Sequence, residues 1–155
     1  MGEGDGTFKA PRTFRAGTSP SSIATGDFNR DGFVDLAVAN SGSDNVSVLL
    51  GNGRGDFEPA RNFAVGRSPS SLTVADFNGD GVLDLAAAAY NSIDVTVLLG
   101  NGDGSFQVPQ GFAVGFLGES VAVGDFNGDG LEDLVVAREG SNLSVLINNS
   151  RAVAR

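Results

Sequence analysis

The sequence predicts an all-β protein made of three four-stranded antiparallel meanders. Three observations carry this. A pattern of turns and apolar runs recurs three times at a 49-residue interval, with Asp27, Asp76 and Asp125 at equivalent positions. Each acidic turn is flanked by short β-type runs, such as Ser22-Ile23-Ala24-Thr25-Gly26 before the first and Leu36-Ala37-Val38-Ala39 after it. No helical periodicity extends beyond a turn or so. Repeats of this length form one supersecondary unit each, and four-stranded units stack most naturally by radial repetition.

Within the first unit the strands are expected near residues 21–27, 35–40, 45–50 and 57–65. The acidic loop joins the first two, and Gly51-Asn52-Gly53 opens the turn between the third and fourth. Ala24, Gly26, Ala37 and Ala39 put small residues where backbones must approach closely. Aromatic positions repeat in step: Phe8, Phe57 and Phe106, then Phe14, Phe63 and Phe112, and these together with Leu are expected to fill the space between sheets. Ser19-Pro20-Ser21-Ser22 matches Ser68-Pro69-Ser70-Ser71, whereas the third copy reads Gly118-Glu119-Ser120. That copy also loses one residue before Leu143 and ends Leu146-Ile147-Asn148-Asn149. The units are placed at about 17–65, 66–114 and 115–150, within one domain spanning 1–155.

The acidic loops read Asp27-Phe28-Asn29-Arg30-Asp31-Gly32-Phe33-Val34-Asp35 and its two counterparts. Oxygen-bearing side chains fall at positions 1, 3, 5 and 9, with Gly at position 6. Calcium takes six to eight hard oxygens at about 2.3–2.6 Å, and a sharply turning loop can aim alternate side chains inward and add a main-chain carbonyl. The expected ligands are Asp27, Asn29, Asp31, Asp35 and the Phe33 carbonyl. The second set is Asp76, Asn78, Asp80, Asp84 and the Val82 carbonyl. The third is Asp125, Asn127, Asp129, Asp133 and the Leu131 carbonyl. Gly32, Gly81 and Gly130 are expected at positive φ. An EF-hand needs Glu at position 12, where these loops have Val38, Ala87 and Val136, and it needs flanking helices. An ordinary Asp-Gly turn has no reason to keep four ligands in register three times.

Net charge is −9, and the loops explain it: nine of the 19 acids are loop Asp, and the other ten balance ten Lys and Arg. Three Ca²⁺ would bring the charge to −3. Nothing is basic enough for nucleic acid or an anionic membrane, and no apolar run approaches the roughly 18 residues of a membrane span. The chain has no Cys and no His, which removes disulfides, thiol chemistry and the usual general bases. Met1-Gly2-Glu3-Gly4 is not a signal peptide. Loops suited to millimolar calcium point to an extracellular or cell-surface setting.

Asp-Phe-Asn-x-Asp-Gly-x-x-Asp-Leu, an apolar strand, then Val-Ser-Val-Leu-Leu-Gly-Asn-Gly, resembles the FG-GAP/VCBS repeat of integrin α-subunit propellers and of many bacterial and fungal surface proteins and lectins. The resemblance spans residues 4–149. It implies β-propeller blades with calcium held between the first two strands of each, by the Asp and Asn positions named above. Sugar-binding residues vary among such repeats and do not carry over.

Three blades are fewer than the usual four to eight. Residues 7–16 read as an orphan fourth strand, and the third unit stops on a third strand near 143–147. Strand sharing between the ends is therefore expected. Two copies exchanging these strands would make a six-bladed, two-fold ring, the favoured assembly. A piece of a longer ring and a lone three-bladed unit are the alternatives.

The expected function is a non-catalytic binding or adhesion scaffold, lectin-like or protein-binding, with structural calcium. Each loop offers about five protein ligands and leaves one position for water. Tyr90, in a turn of the middle unit, is either a sugar-stacking residue or an ordinary turn aromatic. The alternatives are a fragment of a larger secreted propeller protein and a hydrolase. A hydrolase would need a carboxylate pair in a cleft away from the loops. Arg54-Gly55-Asp56 spells a tripeptide recognised by integrins, though its repeat counterparts Asp5-Gly6-Thr7 and Asp103-Gly104-Ser105 mark it as a variant of a repeated turn.

Overall fold

The computed structural model describes residues 6–150. Met1–Gly4, Asp5 of the first turn copy, and residues 151–155 lie outside that range. Eleven strands form three antiparallel sheets, with no helix among the described residues. The first sheet contains β1 (Pro20–Gly26), β2 (Asp35–Asn40), β3 (Asn45–Leu49) and β4 (Arg61–Ala64), in that order. The second contains β5 (Pro69–Ala75), β6 (Asp84–Ala89), β7 (Asp94–Leu98) and β8 (Gln110–Ala113). The third has β9 (Gly118–Gly124), β10 (Asp133–Arg138) and β11 (Asn142–Leu146). Each sheet is one propeller-type blade. The pairing Leu85 with Leu98 in the second recurs as Leu134 with Leu146 in the third, which locates the lost residue between β10 and β11.

Two strand expectations need correction. The fourth strand does not run unbroken over 57–65. Phe57 makes an isolated bridge to Gly51, and β4 starts four residues later at Arg61. Pro59 lies between them and has no N–H to give to the ladder. Phe106 and Gly100 repeat the arrangement before β8, with Pro109 as the interruption. Residues 7–16 are not a strand either. They lie against the first blade, where Phe14 meets Phe57 edge-to-face at 5.1 Å between ring centroids. Arg12 donates to the Gly55 carbonyl and pairs with the Asp56 carboxylate.

The core sits between blades. Phe28, Ala37, Ala39, Val46, Val48 and Leu50 of the first blade pack on Leu72, Leu85, Ala87 and Leu98 of the second. One period later, Phe77, Ala86, Ala88, Val95 and Val97 pack on Val121, Leu134 and Val136 of the third. Each large apolar side chain removed from water here contributes roughly 1.5–3 kcal/mol. β6 is buried along its whole length because it has a blade on either side, and its Ala86-Ala87-Ala88-Ala89 run keeps both faces thin.

Serines bolt the first strands together. Ser21 Oγ donates to the Pro69 carbonyl at 2.6 Å, and Ser70 Oγ to the Gly118 carbonyl at 2.7 Å. Ser22 Oγ accepts from the Leu72 amide, and Ser71 Oγ from the Val121 amide, both at 3.2 Å. The Ser-Ser pair of each Ser-Pro-Ser-Ser motif is thus a blade-to-blade fastener.

Candidate metal centres

Each acidic loop leaves the end of the first strand of its blade and enters the second. Asp27 follows Gly26 of β1, and Asp35 opens β2. Gly32, Gly81 and Gly130 turn the chain at φ of 84°, 81° and 84°. Position 4 also lies in the left-handed region: Gly79 and Gly128 adopt it at little cost, but Arg30 holds φ 60° with a side chain. Arg30 reaches into the neighbouring loop and donates to the Gly81 carbonyl at 2.6 Å.

The carboxylates organise the turn. Asp27 Oδ1 accepts from the Asp31 amide at 3.1 Å, and its Oδ2 from Gly32 at 2.9 Å. Asn29 Oδ1 also faces the Asp31 amide, while Asp31 Oδ1 accepts from Phe33 at 2.8 Å. The second loop repeats these contacts through Asp76, Asn78, Asp80 and Val82. The third does so through Asp125, Asn127, Asp129 and Leu131. Candidate oxygens of each copy therefore share one short turn.

Position 9 does something spacing alone does not reveal. Asp35 Oδ2 accepts from the Phe28 amide at 2.8 Å and Oδ1 from Gly51 at 2.7 Å, which ties the loop to the end of β3. Asp84 takes Phe77 and Gly100, and Asp133 takes Phe126 and Asn148. All three carboxylates are buried. Burial pushes the Asp84 carboxyl up to about 6; the Gly100 and Phe77 amides oppose this, and the charges of Asp80 and Asp76 add to it. Burial likewise raises Asp35, against the Gly51 and Phe28 amides, with Asp31 and Asp27 adding repulsion. Asp125, in the open third loop, is lowered chiefly by the Gly130 amide.

The donor set suits a hard cation: three carboxylates, one amide oxygen and one carbonyl per loop, carrying mutual repulsion that a divalent ion would relieve. As they stand, the loops are satisfied internally. Among the described residues no group of three or more His, Cys, Asp or Glu closes into a metal cage. Asn29 Nδ2 donates to Asp31 Oδ2 at 2.8 Å, and Asn78–Asp80 and Asn127–Asp129 do the same at 2.9 and 2.8 Å. A bound cation would have to exchange these amide-to-carboxylate bonds for coordination.

Sequence comparison addresses the same loops. The FG-GAP-like repeat matches the chain at residues 1–38, 27–87 and 76–136, the second and third matches opening on the first candidate ligands Asp27 and Asp76. The chain belongs to the FG-GAP-like repeat family. No curated protein matches it in sequence. FG-GAP-like repeats are generally non-catalytic modules, and here they form a β-propeller-like array.

The FG-GAP-like loops hold two features that sequence reasoning missed. One is the left-handed position 4, signalled by Gly in two copies but masked by Arg30 in the first. The other is the amide of Gly51 and Gly100 as the second partner of the buried Asp. At these glycines a Cβ would stand 2.2 Å from the Val34 carbonyl oxygen and 2.3 Å from that of Leu83. The Gly-Asn-Gly motif was visible in the sequence, but this close approach was not. Tyr90 donates to Glu139 at 2.8 Å, joining equivalent turns of the second and third blades.

Proposed function

We propose that this protein is a calcium-binding, non-catalytic scaffold that presents loops to a glycan or protein ligand in an extracellular or cell-surface setting. One observation carries the metal reading: in every blade a buried Asp shares a tight turn with two further carboxylates, and none of the ion pairs among the described residues involves them. The ions, three per chain, are structural. The position-9 carboxylate of each site is buried within its blade, away from any ligand face.

A scaffold is favoured over a hydrolase by the commitment of the buried carboxylates. Each is held by two main-chain amides, and among the described residues the cleft between the second and third blades is lined by one carboxylate, Glu132. Two-carboxylate hydrolysis needs a facing pair. The Arg54-Gly55-Asp56 turn is also compromised as an integrin ligand, because Arg12 already engages the Asp56 carboxylate.

Calorimetric titration of metal-free protein with calcium tests the proposal, with three sites per chain expected. An absence of binding at millimolar calcium would remove the metal reading. A glycan array and a ligand capture series, each run with calcium and with EDTA, then identify the partner class.

A further inference from the structure

The two blade interfaces follow one another at the repeat period, with one difference that opens a cavity. At the first, Phe106 sits between two rings of the preceding blade, with centroids 5.9 Å from Phe28 and 5.1 Å from Phe63. The equivalent walls at the second are Phe77 and Phe112. Between them lies an open cavity of about 610 Å³, lined also by Val97, Leu99, Leu134 and Ile147. The position that would carry its aromatic falls among residues 151–155, which read Arg-Ala-Val-Ala-Arg.

The matching aromatic exists elsewhere in the chain. Phe8 stands one period before Phe57 and two before Phe106, and it is 92% exposed. The residues after it already occupy the place of an outer strand belonging to a blade before the first. Phe14 meets Phe57 at 5.1 Å, as Phe63 meets Phe106 at 5.1 Å one period later. Arg12 donates to the Gly55 carbonyl, as Arg61 donates to that of Asp103. Among the described residues, no strand of this chain runs beside 8–16.

We infer that the cavity between the second and third blades receives Phe8 of a second copy of this chain, whose residues 8–16 complete the third blade beside β11. The faces around the cavity fit the same partner. Phe126, Leu143 and Val145 are exposed on the third blade. Their counterparts Phe77, Val95 and Val97 are buried against a following blade. On the opposite face of the array Ile23 and Val34 are exposed, whereas Leu72 and Leu83, one period on, pack in the first interface. Each end of the array therefore carries the half-interface that the other end lacks. Insertion within one chain would require the segment to leave the first blade. Phe14 packs on Phe57 as Phe63 of the first blade packs on Phe106 of the second, which places the segment on the face of the first blade away from the second, and sheets pack about 10 Å apart. Phe8 would have to cross two blades. Reciprocal insertion by two copies makes a closed ring of six blades without a free strand edge. This inference rests on blade geometry and is independent of the metal reading.

The chain has no cysteine, which permits a direct test. Phe57 and Phe106 bridge to Gly51 and Gly100, and the third-blade equivalent of those glycines is Asn148, whose amide reaches Asp133 as theirs reach Asp35 and Asp84. Bridged antiparallel residues lie about 4.5–5.5 Å apart at Cα, within disulfide reach. Full-length Phe8→Cys protein mixed with full-length Asn148→Cys protein should give a covalent cross-linked pair on oxidation. The wild type should have twice the 15.8 kDa chain mass by light scattering. Phe8→Ser should shift that mass to the single chain while leaving the far-ultraviolet circular dichroism unchanged. A wild-type mass of one chain, a Phe8→Ser protein of unchanged mass, or a disulfide formed only within a Phe8→Cys/Asn148→Cys chain would overturn the inference.

Discussion

The Gly100 amide donates to Asp84 Oδ1 at 2.8 Å, joining a candidate metal ligand to the end of a strand sixteen residues away. The other oxygen of the same carboxylate holds the Phe77 amide at 2.8 Å. Asp84 is therefore a structural staple and a candidate ligand at once, whereas Asp80, exposed at position 5, serves the turn alone.

This separates two substitutions. Asp84→Ala orphans two amides in a buried setting, at about 1–3 kcal/mol each, and should lower the melting temperature in EDTA as well as in calcium. Asp80→Ala should lower it mainly in calcium. A site filled at a hundredfold excess over its Kd stabilises by about 2.7 kcal/mol, so the two melting curves should converge when the metal is chelated. Parallel thermal scans of both variants check the distinction.

The same carboxylate sets a pH dependence. Asp84 titrates at about 6 in the metal-free fold, against 3.8 for an ordinary aspartate. Between those values the folded state binds more protons than the unfolded one, so stability in EDTA should fall as pH rises through that window. The stabilisation is fully present below 3.8 and lost above about 6. Calcium competes with the proton, and its stabilising effect should grow over the same window. Urea midpoints at pH 4.5, 5.5 and 7, with and without calcium, test both slopes.

Magnesium should fail where calcium succeeds. The proposed ligands are oxygens of a flexible loop, while magnesium demands a near-ideal octahedron and keeps its water. Chelated protein should regain its melting temperature in millimolar calcium but not in millimolar magnesium. Equal recovery would reduce the loops to a generic anionic patch.

Two glycines should respond unequally to alanine. A Cβ at Gly100 would lie 2.3 Å from the Leu83 carbonyl oxygen and 2.8 Å from Val82 Cγ1, so the backbone must shift. A loss of about 3 kcal/mol is expected. Gly79 has open space around it and only its φ of 73° to lose, which points to roughly 1–2 kcal/mol. Urea denaturation of the two variants measures the gap.

The period, the acidic loops and the inner three strands of each blade were legible because they rest on local chemistry. Asp-x-Asn-x-Asp-Gly dictates a turn, and alternating Val and Leu dictate strands. Residues 57–65 and 7–16 were harder because strand pairing depends on a neighbour. Pro59 interrupts the first. The second has no adjacent strand among the described residues, and its Phe14 packs on Phe57. The Ser-Pro-Ser-Ser motif was visible as a repeat, yet its role as a fastener emerges only once β1, β5 and β9 lie side by side. Arg30 was opaque for a related reason: its left-handed backbone is sustained by a contact in the next blade.

The double-sided burial of β6 gives the array an order in time. In a stack where each unit touches only its neighbours, an element opens locally at a cost set by how many neighbours it must leave. β6 must leave two, and its amides should be the last to exchange with deuterated water. In the single-chain form expected for Phe8→Ser, β11 is exposed along much of its length and pairs, among the described residues, with β10 alone, so its amides should exchange first. That form should accordingly fray from the third blade inwards, as a rope does from its cut end.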